Sequence, residues 1–504
     1  MQKHTKKLTT MKKYLTSFLL FFLMFSSWQL TAQIRIDWQQ CYGSLSEDRP
    51  YVITDTDRGI RVAGSCATND GLVSLELSPD RGWILDIDPQ GAMISQQNPG
   101  FLPVGTAKAQ DVSSDTYLMG YSGNAVASYY RNVTVVRQDD SGDVMFERTL
   151  TNGSSFNLFP DMAGQGIQAT PDGGVVGYCS IASDGGDISA YYGGWCAWLF
   201  KLSASGELLW ETTLGTAGDE YASGLFPASD NTLLALVAGK PSGNGSLSGG
   251  DHDAESMDCF VAQLDQNGTL LGTSRYGGSG NERLCQAIEL DDGYLFLGTT
   301  SSNDGDLAGS NFHDGDGGQQ NRDVWLLRTD HEGNVLWSKC YGGSGDETAV
   351  KAFRNDDGGF TVFGSSDSSD GDVASAASLH DPGMPSTQHV WVFRTDSIGK
   401  LVWERAIGIP GSDTPLCDVT RRDDKRYTLA AQSWSMDGQP AGDYLCSNDA
   451  ILTWSHQNFW VLQVSDTFNN SDLAEHTELT EAFMARPNPV GDALRLEYSP
   501  DVTP

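Results

Sequence analysis

Tyr341-Gly342-Gly343-Ser344-Gly345-Asp346-Glu347 opens the module that decides the fold. The turn Asp356-Asp357-Gly358-Gly359 follows, then an apolar run at 360–364 and an Asp/Ser/Gly loop. A further run carries Val390-Trp391-Val392-Phe393, and the turn Asp396-Ser397-Ile398-Gly399 leads to a last run ending at Trp403. Short β-branched and aromatic runs read as strands, and the Asp-Gly pairs between them permit the positive φ of tight hairpins. The preceding copy keeps the order: Tyr276-Gly277-Gly278-Ser279-Gly280-Asn281-Glu282, Asp291-Asp292-Gly293, Val324-Trp325-Leu326-Leu327, Gly333 and Trp337. An earlier one has Pro171-Asp172-Gly173-Gly174, Trp198-Leu199-Phe200, Gly206 and Trp210.

The aromatic of the third strand marks the phase of the repeat. Trp83, Trp198, Phe260, Trp325, Trp391 and Trp460 hold that position, with Thr134 as the departure. Successive markers lie roughly 50 to 70 residues apart, a period suited to one four-stranded blade. Seven such units fill residues 34–468. The expected fold is all-β: a seven-bladed β-propeller over 33–468. The tryptophans read as packing between blades, because a wide flat sheet needs large side chains to fill the gap to its neighbour.

The ends of the array fit each other. The seventh unit stops near Val461-Leu462-Gln463-Val464, without a last strand. Ile36-Asp37-Trp38-Gln39-Gln40-Cys41-Tyr42-Gly43 matches Val335-Leu336-Trp337-Ser338-Lys339-Cys340-Tyr341-Gly342 almost in register. The N-terminal strand is therefore expected to complete the last blade and pair an otherwise open edge.

Composition agrees. The 504 residues include 57 glycines, 39% are hydrophobic and only 19% are charged, as turns and short strands require. The net charge of −34 repels phosphate backbones and excludes nucleic acid as a partner. Lysines lead into Phe18-Leu19-Leu20-Phe21-Phe22-Leu23-Met24-Phe25, and small residues follow at Thr31-Ala32. This is a signal peptide pattern over 1–32, with no later segment suited to spanning a bilayer. Nine cysteines form no CxxC pair and no Cys/His cluster, so zinc is not expected. Cys179 and Cys196 read either as a cross-hairpin bridge or as two separate buried thiols.

Beyond residue 468 the repeat stops, and 469–486 reads as a polar, acidic linker. The stretch Pro487-Asn488-Pro489-Val490-Gly491-Asp492-Ala493-Leu494-Arg495-Leu496 resembles the opening of the type A sorting domain of the type IX secretion system. That resemblance implies a C-terminal β-sandwich, here only its start at 487–504, and passage across an outer membrane by the secretion machinery. The blades also resemble propeller repeats of such secreted proteins. Together the two resemblances imply a secreted or outer-surface location.

Several patterns point toward chemistry. Asp304 and Asp306 sit in one Ser/Asp/Gly loop, Asp370 and Asp372 in another. Clustered carboxylates on glycine-bent loops offer oxygens to calcium, although neither loop has the EF-hand spacing; the other reading is aspartates bonding backbone. Ser205-Gly206-Glu207-Leu208-Leu209-Trp210 and Ile398-Gly399-Lys400-Leu401-Val402-Trp403 look like the tryptophan-docking repeat of quinoprotein dehydrogenases, but the Cys-Cys dipeptide that many of those carry is missing. GxSxG, HExxH and the sialidase box are absent too. Glu220, Glu282 and Glu347 recur once per unit and read as interblade hydrogen-bond acceptors. No catalytic residue or cofactor other than calcium is nominated. The expected role is a non-enzymatic binding or adhesion module for a protein or glycan, met by the long insertions at 243–257, 308–322 and 374–389. The alternative is a secreted hydrolase of polysaccharide or protein with its site at the propeller axis.

Overall fold

The computed structural model describes residues 34–44, 46–69, 71–76, 81–110, 115–122, 132–151, 165–240, 245–247, 256–313, 321–379, 387–408, 410, 412–423, 425–434 and 457–467, and the backbone alone of 483–486 and 495–498. One compact unit, Ile36–Ser465, holds the ring. Seven four-stranded sheets make it up. Blades 1 to 6 span 48–97, 102–151, 166–214, 219–276, 282–341 and 347–407, each running inner, second, third, outer strand in chain order. Blade 7 takes Leu416–Asp423, Arg426–Trp434 and Gln457–Asp466 from the C-terminal side, and Ile34–Tyr42 stands beside Gln457–Asp466 as its outer strand. The closure expected from the sequence is what the chain does.

The phase markers all fall on third strands and are buried there. Trp83, Trp198, Trp325, Trp391 and Phe260 have no exposed surface, and Trp460 is 2% exposed. Burying an indole requires an acceptor for its N–H. The outer strand supplies it each time: Gln96 to Trp83, Glu211 to Trp198, Ser338 to Trp325 and Glu404 to Trp391. In blade 7 the acceptor is Gln39 of the N-terminal strand, 3.2 Å from the Trp460 indole. Thr134, the one departure, bonds Thr149 of its own outer strand instead.

Inner strands of six blades carry one extra residue opposite the second strand: Tyr51, Val104, Ser223, Cys285, Val350 and Cys417. Such β-bulges tighten the twist of the innermost strand. In four of the blades a glycine faces the bulge, as Gly64 does, because a Cβ there would meet the bulged strand's carbonyl.

The signal peptide expected at 1–32 lies outside the described residues, as do most of the linker and of the sorting segment. Among described residues there, Phe483–Arg486 pairs antiparallel with Arg495–Tyr498. No helix among the described residues is long and apolar enough to cross a membrane.

Candidate functional site

The order of strands places the connections on two faces. Hairpins joining inner to second strands, and third to outer strands, lie on the lower face. Links between blades and all second-to-third connections lie on the upper face. The recurring Glu belongs to this upper face. Glu347 is fully buried; its carboxylate accepts from the Gly343 N–H at 3.1 Å and the Ser366 hydroxyl at 2.5 Å. Glu282 accepts from Gly278 N–H, Thr300 and Ser302 in the same way. Glu220 and Asp48 bond the link residues Thr216 and Ser44. These four acids tie the links entering blades 1, 4, 5 and 6 to those blades, the interblade role read from their recurrence.

The sequence did not reveal what stands opposite them. A third-strand residue of the preceding blade approaches each acid across the link glycine. Asp258 meets Glu282 at Gly277, and Asp323 meets Glu347 at Gly342; a Cβ on either glycine would collide with both carboxylates. Burial away from water pushes Glu282 and Asp323 up, and Glu347 up to about 8. A carboxyl that keeps its proton at neutral pH lets two acids share one site. Asp323 is further held by His313, whose Nδ1 lies 2.8 Å from Oδ2. The Asp323 bond draws the His313 pKa upward.

The four candidate calcium ligands have protein partners. Asp304 Oδ1 accepts the Ser279 N–H and Asp370 Oδ1 the Ser344 N–H, both at 2.7 Å. Asp306 Oδ2 accepts the Gly277 N–H at 3.0 Å. Asp372 Oδ2 faces His313 Nε2 at 3.7 Å. Each loop thus folds back onto its own blade's link, and a cation would have to engage the remaining oxygens. Among the described residues, no three His, Cys, Asp or Glu side chains are grouped to hold a metal.

On the inner strands, Asp418 pairs with Lys351 at 2.9 Å and accepts the Ile53 N–H of blade 1 at 3.0 Å. Gln286 bonds both the N–H and the C=O of Ala352 in the next blade. Burial pushes the Cys285 and Cys417 thiols up to about 12, so neither is a thiolate at neutral pH. Cys179 and Cys196 are separate buried thiols, since the register sets Cys179 opposite Trp198 and Cys196 opposite Ile181. Cys41 is disulfide-bonded.

The long insertions begin by covering outer strands. Ser375 bonds Glu404 and the Ala406 N–H of blade 6, and the Ser310 carbonyl accepts the Cys340 N–H of blade 5. Their tips lie outside the described residues. A cavity of about 360 Å³ opens on the same face at blade 1. Ser46, Glu47, Arg49, Tyr51, Ser65, Cys66, Ala67 and Arg81 line it. Nothing in the repeat pattern pointed to it: blade 5 has Arg283 where blade 1 has Arg49, and Arg81 stands where blades 4 and 5 carry Asp258 and Asp323.

No protein-family model matches the chain, and no curated protein matches it. Solved structures share a looser likeness. A protein of unknown function from Bacteroides caccae is 12% identical with a TM-score of 0.32, over 64% of this chain and 90% of that one. The α-L-arabinofuranosidase of Fusarium graminearum is 10% identical with a TM-score of 0.41, over 73% and 93%. Puromycin hydrolase is 12% identical with a TM-score of 0.41; the match covers 76% of this chain and 50% of that one. The class rests on the ring itself: seven closed four-stranded sheets make this chain a seven-bladed β-propeller.

Proposed function

We propose that the ring is a binding module whose upper face takes up a protein or glycan partner outside the cell. One observation carries the reading: the connections of the two faces are unequal. On the upper face, second-to-third connections run over 67–81, 123–131, 182–195, 241–257, 301–322, 367–388 and 435–456, the shortest being that of blade 2. On the lower face, hairpins are as short as 57–58 and 291–292, and none between inner and second strands exceeds 109–115. Variable loops on a rigid repeat scaffold are where such proteins usually meet partners. Asp48, Glu220, Glu282 and Glu347 on that face are occupied with backbone and hydroxyl donors, which suits a scaffold more than a reaction centre.

Trimming 248–255, 314–320 and 380–386 to short Gly/Ser links tests it. The intact chain is expected to be retained on at least one of a panel of immobilised polysaccharides and matrix proteins. The trimmed chain should melt at the same temperature and lose that retention. Release of sugars or peptides from the retained polymer would favour the hydrolase instead. Export belongs to the same reading, supported by the lysine-led apolar segment and by 487–496. Mass spectrometry of culture medium from a bacterium with type IX secretion should find a chain beginning near Gln33. Calcium at Asp304, Asp306, Asp370 and Asp372 is a separate proposal. Titrating calcium into chelator-treated protein should release heat and raise the Tm; an unchanged Tm with no heat ends it.

A further inference from the structure

We propose that the cavity at the top of blade 1 binds a single carboxylated sugar, a uronic acid unit of a glycan. This deepens the binding-module reading and rests on it for a glycan as the source of the carboxylate. The chain carries a net charge of −34, so a cavity edged by two guanidinium groups reverses the surrounding field locally.

Both arginines are set for a ligand. Arg49 Nε donates to Gln457 Oε1 at 3.0 Å, and Gln457 is wholly buried. That bond anchors one edge of the exposed guanidinium, and among the described residues its two NH2 groups have no acceptor. Arg81 has φ of +55°, a left-handed conformation that glycine adopts freely and arginine does not. Its carbonyl accepts the Cys66 N–H at 2.9 Å, and among the described residues its guanidinium has no acceptor. Strain of this kind collects where a side chain has a task.

Charge and lining narrow the ligand. Two guanidiniums and Glu47 leave one net positive charge, enough for one carboxylate, while the acidic surface beyond repels a polyphosphate. Arginine forks match a carboxylate with two parallel bonds. Ser46, Ser65 and Tyr51 add hydroxyls, with Ser65 Oγ and Tyr51 OH 3.4 Å apart, and Glu47 adds an acceptor. Hydroxyl groups around a carboxylate site suit a sugar ring better than a peptide end. The volume of about 360 Å³ lies at the small end of ligand pockets.

Calorimetry with the full chain and three probes, D-galacturonate, D-galactose and acetate, tests the assignment. Galacturonate should bind more tightly than either other probe. Arg81→Gly should weaken it by about tenfold or more while keeping or raising the Tm, because glycine relieves the φ. Arg49→Gln should weaken it similarly, and added salt should weaken it in the intact protein. Equal binding of galactose, equal binding of acetate, an unaffected Arg81→Gly variant, or no binding of galacturonate would each overturn the proposal. Retention through the long loops would survive any of these results, so the two readings fail separately.

Discussion

At the scale of single residues, blade 1 shows how one charge pair can be rewritten. Near the end of the third strand, Arg137, Lys201, Arg328 and Arg394 pair with aspartates of the inner hairpin, Asp115, Asp172, Asp292 and Asp357. Blade 1 has Asp86 at that strand position, and Arg61, its register partner on the second strand, supplies the cation. Arg61 is 1% exposed; it reaches Asp86 at 2.7 and 3.1 Å and donates to Thr116 and Gln138 of blade 2. Removing one partner of a buried pair strands the other. Arg61→Ala is expected to cost about 3–5 kcal/mol in urea unfolding. Arg61→Met with Asp86→Leu should recover much of it. Glu347 carries a pH signature. Its folded pKa of about 8 lies above the unfolded carboxylate value, so the folded state holds a proton that the unfolded state releases. Its contribution is fully present below the unfolded pKa and is lost as pH rises through about 8. Glu347→Gln keeps a neutral amide facing Asp323. The Tm of that variant relative to the parent should climb between pH 5 and pH 8.5; a constant difference would refute the raised Glu347 pKa.

At the scale of elements, the outer strand is a latch. Its tryptophan lies under the hairpin glycine of the next blade, as Trp210 does at Gly268 and Trp337 at Gly399. The Trp210 indole donates to the Gln266 carbonyl at 2.9 Å, and the Tyr276 hydroxyl donates to the Gly333 carbonyl at 2.7 Å. The N-terminal strand repeats the arrangement: Trp38 donates to Pro89 at 3.0 Å, and Tyr42 to the Gly91 carbonyl. Deleting 34–43 is expected to lower the Tm by more than about 10 °C. Gly268→Ala should destabilise by at least about 1 kcal/mol, since φ is +80° and a Cβ would press on Trp210. These latches were readable because Trp, Tyr and Gly recur at fixed offsets, and the same recurrence exposed the closing strand. The bulges were not readable. Tyr51, Val104 and Cys417 share no side-chain character, and a backbone device leaves no residue signature. The acid pairs were half readable: Glu347 recurs from unit to unit, but Asp323 comes from a different blade and only the ring brings the two together. The blade 1 cavity was invisible because it depends on Arg81, and a repeat alignment discards what one copy has alone.

At the scale of the whole molecule, the ring separates tasks between its faces. The lower face is built from short hairpins in which aspartates such as Asp265 accept N–H groups two and four residues ahead. The upper face holds the links, the paired acids, the insertions and the cavity. Exchanging lower-face hairpins between blades, 330–334 for 396–400 for instance, should leave retention on any polymer and the Tm within a degree or two of the parent, read by the same column and melt. One feature also governs how the molecule comes into being. Within the ring, the strand synthesised first is hydrogen-bonded through Gln39 to Trp460 of the sheet synthesised last. Until then every nascent chain is an open arc with a hydrophobic edge at each end. Loop-closure entropy across the whole length then makes sealing a slow, late step. The export proposed above would use that delay, because a chain still open at both ends of its arc is one that can pass a membrane unfolded.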